Sequence, residues 1–298
     1  MTSHERLRAD RIFNAAPPEL FFILSAVAQY TGAIIAVHLF DDISPATVAW
    51  LRVLSASLIL LAFSFRQSPR RWSRRELYWV AAFGASTALM NLFFYLALDR
   101  LPLGKGVTIE FIGPITVAAL RTRSVRNTVA LLSAAVGVVV LGGVEIGNEP
   151  LGLVFILAAS VMWAGYIVMG SRVALADRGV SGLALGLLFG GIVITPFAAG
   201  DAGAAFSSGK ILIGCILVGL LSNAIGYGID QATLRRIPIR RFSVMLALLP
   251  VCATIFGFVF LNQSPSLLDL LGMALVLTGV AVQERDETDR HHEVVETT

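Results

Sequence analysis

Residues 98–114 read LDRLPLGKGVTIEFIGP, and residues 234–250 read LRRIPIRRFSVMLALLP. Both segments contain the pattern Leu-x-Arg-aliphatic-Pro-aliphatic, followed two positions later by a cation, and both end on a proline at the same distance. A pattern that recurs with the same internal spacing predicts that the chain contains two related halves.

The composition around these segments indicates a membrane protein. Of the 298 residues, 56% are hydrophobic and 14% are charged, whereas a soluble domain carries about 25% charged residues. This balance excludes a soluble enzyme, a secreted disulfide scaffold and a disordered chain. The net charge of +3 does not indicate nucleic-acid binding, because the cations form short clusters between apolar runs rather than one solvated face. Cys215 and Cys252 lie in apolar runs, so we expect no disulfide framework and no metal site.

Apolar stretches of roughly 20 residues, the length that a helix needs to cross the hydrocarbon core, follow one another along the chain. Backbone groups in lipid must be paired within the segment, so the stretches are predicted to be helices. The alternating pattern of a membrane β-barrel is not seen in the sequence. We therefore predict an all-α polytopic membrane protein with ten transmembrane helices. The predicted spans are 19–40, 45–65, 76–97, 103–120, 127–146, 150–171, 180–199, 211–229, 239–261 and 266–283.

Lys and Arg residues predict the orientation of these helices, since they concentrate in cytoplasmic loops. With a cytoplasmic amino terminus, 19 of the 23 cations fall in cytoplasmic segments and three in outer loops, and Arg52 lies inside a span. Both termini are then cytoplasmic. The loop at 99–105 is outside and its copy at 235–241 is inside, so the halves have opposite orientations. We predict a cytoplasmic tail at 1–18, a first five-helix repeat at 19–146, an inverted second repeat at 150–283 and a tail at 284–298.

Motifs of enzymes and ATPases are missing from the sequence. It has no Walker-type phosphate loop, no G-x-G-x-x-G and no H-E-x-x-H pattern, and no G-x-S-x-G nucleophile elbow. Inverted repeats are typical of secondary transporters, which bind substrate near the bilayer midplane between the halves. We therefore predict a secondary active transporter that is not an enzyme and needs no cofactor. A membrane-embedded enzyme or scaffold is the alternative from a different class.

Two ionisable residues stand out well inside predicted spans, where a charge is costly and usually marks function. Arg52 follows Pro45 by seven residues in the second span, and Glu110 follows Leu103 by seven residues in the fourth. Both helices start on the outer side, so at 1.5 Å per residue both side chains lie about 10 Å below the outer surface. Their equal depth makes an ion pair feasible. We predict a functional pair; alternatively, a buried pair would only position helices two and four.

Glu110 has a second distinguishing feature, which is the proline four residues later. Pro114 has no N–H, so the backbone carbonyl of Glu110 loses its helical donor and the helix is expected to break there. A carboxylate beside a freed carbonyl suits an ammonium group or a proton, and we predict that Glu110 binds one of them. Pro250 does the same to Leu246, but no carboxylate is present there, so the halves are not functionally equivalent.

Further polar and aromatic residues inside the spans are weaker candidates for a binding cavity. Asn91 and Asn223 would either line the cavity or bridge helices. Aromatic residues near helix ends often only anchor a helix at the membrane interface, which applies most to Tyr95. The candidates for a polar or aromatic wall are Gln29, Tyr30, Tyr95, Trp163 and Tyr166.

Two features of the second half are interpreted as structural. Asp230 ends the eighth span close to Arg235 and Arg236 and is predicted to be a loop charge. Glycines recur every four residues on the seventh span, and such a face allows close helix approach, either within the monomer or across a homodimer interface. These glycines are Gly182, Gly186 and Gly190.

Four short segments carry a resemblance to a known transporter family. They are Ala49-Trp50-Leu51-Arg52, Asn91-Leu92-Phe93-Phe94-Tyr95, Pro102-Leu103-Gly104 and Ile109-Glu110-Phe111-Ile112-Gly113-Pro114. Over all its spans the sequence resembles the ten-helix, EamA-type branch of the drug/metabolite transporter superfamily, and within it the bacterial threonine/homoserine exporters. The second copy departs from the pattern, because Asn262-Gln263-Ser264-Pro265 stands where relatives have Gly-Glu before Pro.

The resemblance implies an inner-membrane exporter of small amino acids or related metabolites, which exchanges them for protons by alternating access. The expected partners are a small-molecule substrate, protons and the lipid bilayer, and no nucleic acid. A broad drug or toxic-metabolite exporter of the same fold is the alternative. Sequence alone leaves the direction of transport open.

Overall fold

The computed structural model describes residues 18–64, 72–121, 125–175, 180–234 and 248–283, and within these ranges the chain is all-helical. Its helices are α1 (Pro18–Leu39), α2 (Pro45–Ser64), α3 (Arg74–Leu98), α4 (Leu103–Glu110), α5 (Ile112–Arg121), α6 (Val125–Asn148), α7 (Pro150–Leu175), α8 (Val180–Ala198), α9 (Ala202–Ser207), α10 (Gly209–Val218), π1 (Gly219–Gly226), α11 (Tyr227–Leu234), α12 (Leu248–Leu261) and α13 (Leu267–Gln283).

The described helices follow the predicted apolar stretches. For example, α8 ends one residue before the predicted end of its span at 199. Residues 239–247 of the ninth predicted span lie outside the described residues. Six helical segments of the described chain are long and apolar enough to cross a membrane, and shorter apolar helices cover 128–141, 249–261 and 267–279. The six are 20–39, 45–64, 74–98, 150–170, 180–198 and 209–230.

The fourth predicted span consists of two helices rather than one. The first, α4, ends at Glu110, and α5 begins at Ile112, so the two are separated by Phe111 alone. Pro114 lies in the first turn of α5. Backbone N–H groups in a first turn have no acceptor within the helix, so the missing N–H of proline costs α5 no hydrogen bond. Pro250 likewise lies in the first described turn of α12, and Leu246, whose carbonyl it was expected to leave unpaired, is outside the described residues.

The eighth predicted span contains a π-helical segment, π1, which the sequence analysis did not predict. Gly219 begins this segment and packs so closely on α2 that a Cβ atom there would collide with the backbone carbonyl oxygen of Arg52. Wider π-helical turns are frequent at functional sites. Here the segment brings the backbone of the second half against the charged residue of the first.

Helices of the first half pack against helices of the second. The pairs include α1 with π1, α2 with α8, α2 with π1, α3 with α7, α3 with α8, α4 with α12, and α6 with α13. This set of pairs is unchanged when each helix of the first half is exchanged with its counterpart in the second. The interface between the halves is therefore the centre of the molecule.

The side chains are distributed as a lipid environment requires. Large apolar residues, among them Phe63, Val139 and Phe197, are exposed on the outside, where hydrocarbon rather than water would surround them. Small residues such as Ala49 and Ala88 are fully buried, which fits the close packing by which helices associate in lipid.

The glycine face of α8 is used inside the monomer. A Cβ atom at Gly190 would collide with the backbone carbonyl oxygen of Gly84 on α3, and one at Gly186 would approach the ring of Phe83 to 3.0 Å. Gly182 is also buried. Since α3 covers this face, we do not assign a homodimer contact to it.

Candidate functional site

Arg52 lies buried at the interface between the two halves. Its Nε donates a hydrogen bond to Oδ1 of Asn223 at 2.8 Å, and its guanidinium carbon lies 4.6 Å from the ring centre of Tyr95. A cation this close to an aromatic ring is attracted by the negative face of the ring. Asn223 belongs to π1 and Tyr95 to α3, so both halves contribute to the surroundings of this cation.

Asn91, one helical turn before Tyr95, anchors a second polar group. Its Nδ2 donates to the carbonyl oxygen of Thr87 at 2.7 Å, and its Oδ1 accepts from the hydroxyl of Tyr227 at 3.4 Å. The ring of Tyr227 lies 6.0 Å from that of Tyr166. Tyr227 was not among the predicted site residues, although its position between two glycines in an apolar span is a signal that could have identified it.

Glu110 is the last residue of α4, and its side chain is 5% exposed. Among the described residues, its carboxylate has neither a hydrogen bond nor a direct ion pair, and Arg52 acts on it only through space. The site therefore holds a cation and a carboxylate that are near one another but not in contact.

Aromatic side chains surround these charged groups. Phe111, directly after Glu110, packs edge-to-face with Trp163 at 5.5 Å between ring centres. The ring of Tyr30 lies 5.9 Å from that of Phe256. Of the other predicted wall residues, Tyr95 lies against Arg52 and Tyr166 packs against the ring of Phe83 at 5.1 Å.

Asp230 is not a loop charge, and that prediction was wrong. It lies in α11 and is 9% exposed, because the helix continues past the predicted end of the span at 229. Its Oδ1 accepts from the Ser25 hydroxyl at 2.6 Å and its Oδ2 accepts from Nε2 of Gln29 at 3.1 Å. Gln29 also donates to Ser25 Oγ at 2.9 Å. Gln29 therefore joins α1 to α11, and its spacing of one turn from Ser25 was the available signal in the sequence.

The arrangement suits a small molecule that carries both charges. It offers donors at Arg52, an acceptor at Glu110 and aromatic faces between the helices. In the described part of the chain, no group of three or more His, Cys, Asp or Glu residues could hold a metal ion.

Comparison with known proteins identifies related transporters. A sequence profile of the EamA-like transporter family matches residues 17–146 and, a second time, residues 150–283. The chain is 30% identical over 263 residues to the threonine/homoserine exporter RhtA of Salmonella typhimurium, which covers 87% of this chain and 88% of that protein. RhtA of Escherichia coli K12 is 29% identical with the same coverage.

More distant matches extend the comparison to fold. The inner membrane transporter YicL of Salmonella typhimurium is 22% identical over 289 residues, which covers 90% of this chain and 95% of that protein. A solved crystal structure with 18% sequence identity superposes with a TM-score of 0.59, over 90% of this chain and 98% of the other. At this identity the superposition shows a shared fold only.

Proposed function

The chain belongs to the EamA-like transporter family, and from this premise we propose that it exports small amino acids of the threonine and homoserine kind. It is a multi-pass transporter of the bacterial inner membrane and not an enzyme. The observation that carries the choice of substrate is the buried pair of separated opposite charges, Arg52 and Glu110. A zwitterionic amino acid has the complementary charges, and the exporters that this chain resembles are named for two such amino acids.

We propose ten membrane-spanning helices in two inverted five-helix repeats, at 19–146 and 150–283, with both terminal tails, 1–18 and 284–298, in the cytoplasm. The double match of the family profile supports two repeats. The helix pairing, which is the same when the halves are exchanged, supports a twofold relation between them. The distribution of Lys and Arg supports the orientation.

In the proposed mechanism, the halves rock against each other about the site, and Glu110 binds the substrate or the exchanged proton. Two contacts join the halves at the predicted outer end. Lys105 Nζ lies 3.0 Å from Asp269 Oδ1, and the backbone N–H of Leu103 donates to Oε1 of Gln263 at 2.9 Å. Gln263 of the second half thus supplies an acceptor to the start of α4. Alternating access requires these contacts to separate when the outer side opens.

The test is transport of labelled threonine by the purified protein in lipid vesicles under an imposed pH gradient. We expect threonine to accumulate with the gradient, and we expect Glu110→Gln to abolish accumulation at an unchanged protein level. Glu149→Gln is the matched control, because it makes the same chemical change at a half-exposed carboxylate of an outer loop. Failure of the wild-type protein to move any amino acid, or normal transport by Glu110→Gln, would refute the proposal.

A broad drug or toxic-metabolite exporter is the second candidate, and the aromatic residues of the site favour it. Tyr166 lies between Phe83 and Tyr227, at 5.1 and 6.0 Å from their ring centres, and such faces attract organic cations. Competition in the same vesicles separates the two functions. Hydrophobic cations that displace threonine better than homoserine does would favour the drug exporter.

A further inference from the structure

Two buried polar atoms beside Arg52 have no hydrogen-bond partner among the described residues. They are Nδ2 of Asn223 and the hydroxyl oxygen of Tyr95, and both side chains are fully buried. A buried polar group without a partner costs about 1–3 kcal/mol. Native proteins retain few such groups, so each needs an explanation.

The hydrogen bond between Arg52 and Asn223 decides what these atoms offer. Arg52 Nε is a donor only, so the Asn223 amide must turn its oxygen toward Arg52,. Its Nδ2 is then an unused donor. The Tyr95 hydroxyl is a second unused donor, and the remaining N–H groups of the guanidinium belong to the same neighbourhood, because Arg52 lies over the Tyr95 ring. We call Arg52, Asn223 and Tyr95 the donor cluster.

A cluster of donors with one positive charge selects a carboxylate. A guanidinium presents its N–H groups in a planar fork that matches two carboxylate oxygens. Phenol and amide donors add further bonds to the same oxygens. Three side chains from α2, α3 and π1 meet here, so a carboxylate bound by all three would also join the two halves.

Glu110 provides the opposite end of the site. It has no hydrogen bond to Arg52, and the two charges interact only through space. Glu110 also ends α4. Pro114 cannot donate to the Glu110 carbonyl, which leaves an additional acceptor at this helix end. A buried carboxylate beside a carbonyl that Pro114 cannot pair favours an ammonium group,.

We propose that the site binds its amino acid in one orientation, with the α-carboxylate on the donor cluster and the α-ammonium group on Glu110. This inference rests on the proposed function. One zwitterion would bridge two charges that do not contact each other, and it would give partners to both unpaired donors. The transporter would then recognise the part that all α-amino acids share, and the aromatic residues would contact the variable side chain.

The test is equilibrium binding of labelled threonine to the solubilised full-length protein, with two blocked analogues as competitors. Threonine amide lacks the carboxylate, and N-acetylthreonine lacks the ammonium group. We expect each to compete at least about tenfold less well than threonine, which corresponds to the loss of one charge-assisted hydrogen bond.

Tyr95→Phe removes one donor and keeps the ring over Arg52. We expect it to lower the affinity for threonine and for N-acetylthreonine about tenfold and to leave the affinity for threonine amide unchanged. Glu110→Gln should have the reverse pattern. We expect it to lower the affinity for threonine and for threonine amide but not the affinity for N-acetylthreonine. Tyr78→Phe is the matched control, since Tyr78 is an exposed tyrosine on the same helix.

The outcomes separate the inference from the proposed function. Suppose that threonine binds, but that Tyr95→Phe lowers the affinity for all three ligands equally or only the affinity for the amide. The proposed orientation of the amino acid is then wrong, and the exporter assignment stands. If neither threonine nor homoserine binds the wild-type protein, both are wrong. A correctly folded Tyr95→Phe protein is sufficient for this decision even if Glu110→Gln does not fold.

Discussion

Replacing Asp230 with Asn and Ser25 with Ala, singly and together, measures how strongly α11 is held to α1. The Ser25 hydroxyl lies 2.6 Å from Asp230 Oδ1, which is the distance expected for a hydroxyl that donates to an ionised carboxylate. Hydrogen bonds to charged groups contribute about 1.5–3 kcal/mol in soluble proteins. Side-chain hydrogen bonds between membrane helices average about 0.6 kcal/mol, with a maximum of about 1.7. We therefore expect a coupling free energy of about 1–1.7 kcal/mol between Ser25 and Asp230.

The assay is equilibrium unfolding of the four proteins in mixed detergent micelles with increasing dodecyl sulfate. The coupling is the difference between the loss of unfolding free energy in the double variant and the summed losses of the single variants. Asp41→Asn is the control, because Asp41 is exposed in the turn after α1, and we expect a change below about 0.5 kcal/mol. A coupling below about 0.3 kcal/mol would show that this contact does not hold the two helices together.

Other substitutions test the packing and the outer contacts. Gly84→Ala would bring a Cβ atom into the backbone carbonyl of Gly186, so we expect a loss of about 1–3 kcal/mol of unfolding free energy in the same assay. Gly200→Ala is the control and should be nearly neutral, because nothing lies within 4 Å of the new carbon. Equal losses in the two variants would contradict the packing argument. Lys105→Met removes the cation that pairs with Asp269, and the two side chains are only 9% and 13% exposed. We expect this variant to lose more than about 1 kcal/mol of unfolding free energy. Arg100→Met breaks a pair with side chains 38% and 42% exposed, and it should lower the unfolding free energy by less than about 1 kcal/mol. A larger loss for Arg100→Met than for Lys105→Met would contradict the proposed role of the Lys105–Asp269 pair in joining the halves.

Local sequence features predicted much of the fold. The length of each apolar run predicted the helices, since a helix pairs its backbone groups within its own segment. The composition and repeat predicted a membrane transporter, which the family match confirms. Pro114 indicated a special backbone environment beside Glu110, and the structure has a helix end at that residue.

Several parts of the site were not accessible to this reasoning. Asp230 lies one residue beyond its predicted apolar span, so it was predicted to be a loop charge. In the structure, its hydrogen bonds to Ser25 and Gln29 of α1 satisfy the carboxylate in a buried position. The π1 segment depends on how closely Gly219 approaches α2, which is a property of the packed pair of helices. The bond from Arg52 to Asn223 joins residues far apart in the chain, and no spacing rule connects them.

The amino-acid order alone therefore determined that this chain is a bundle of membrane helices with a buried cation and a buried carboxylate. Hydrophobicity, backbone pairing in lipid and the absence of an N–H in proline act within a few helical turns, so each can be evaluated along the chain. Only the tertiary structure decided that Arg52 bonds to Asn223 and lies over Tyr95, while Glu110 stays apart from it. Side-chain partners between distant helices depend on the packing of both halves against each other, and that packing is a property of the whole molecule.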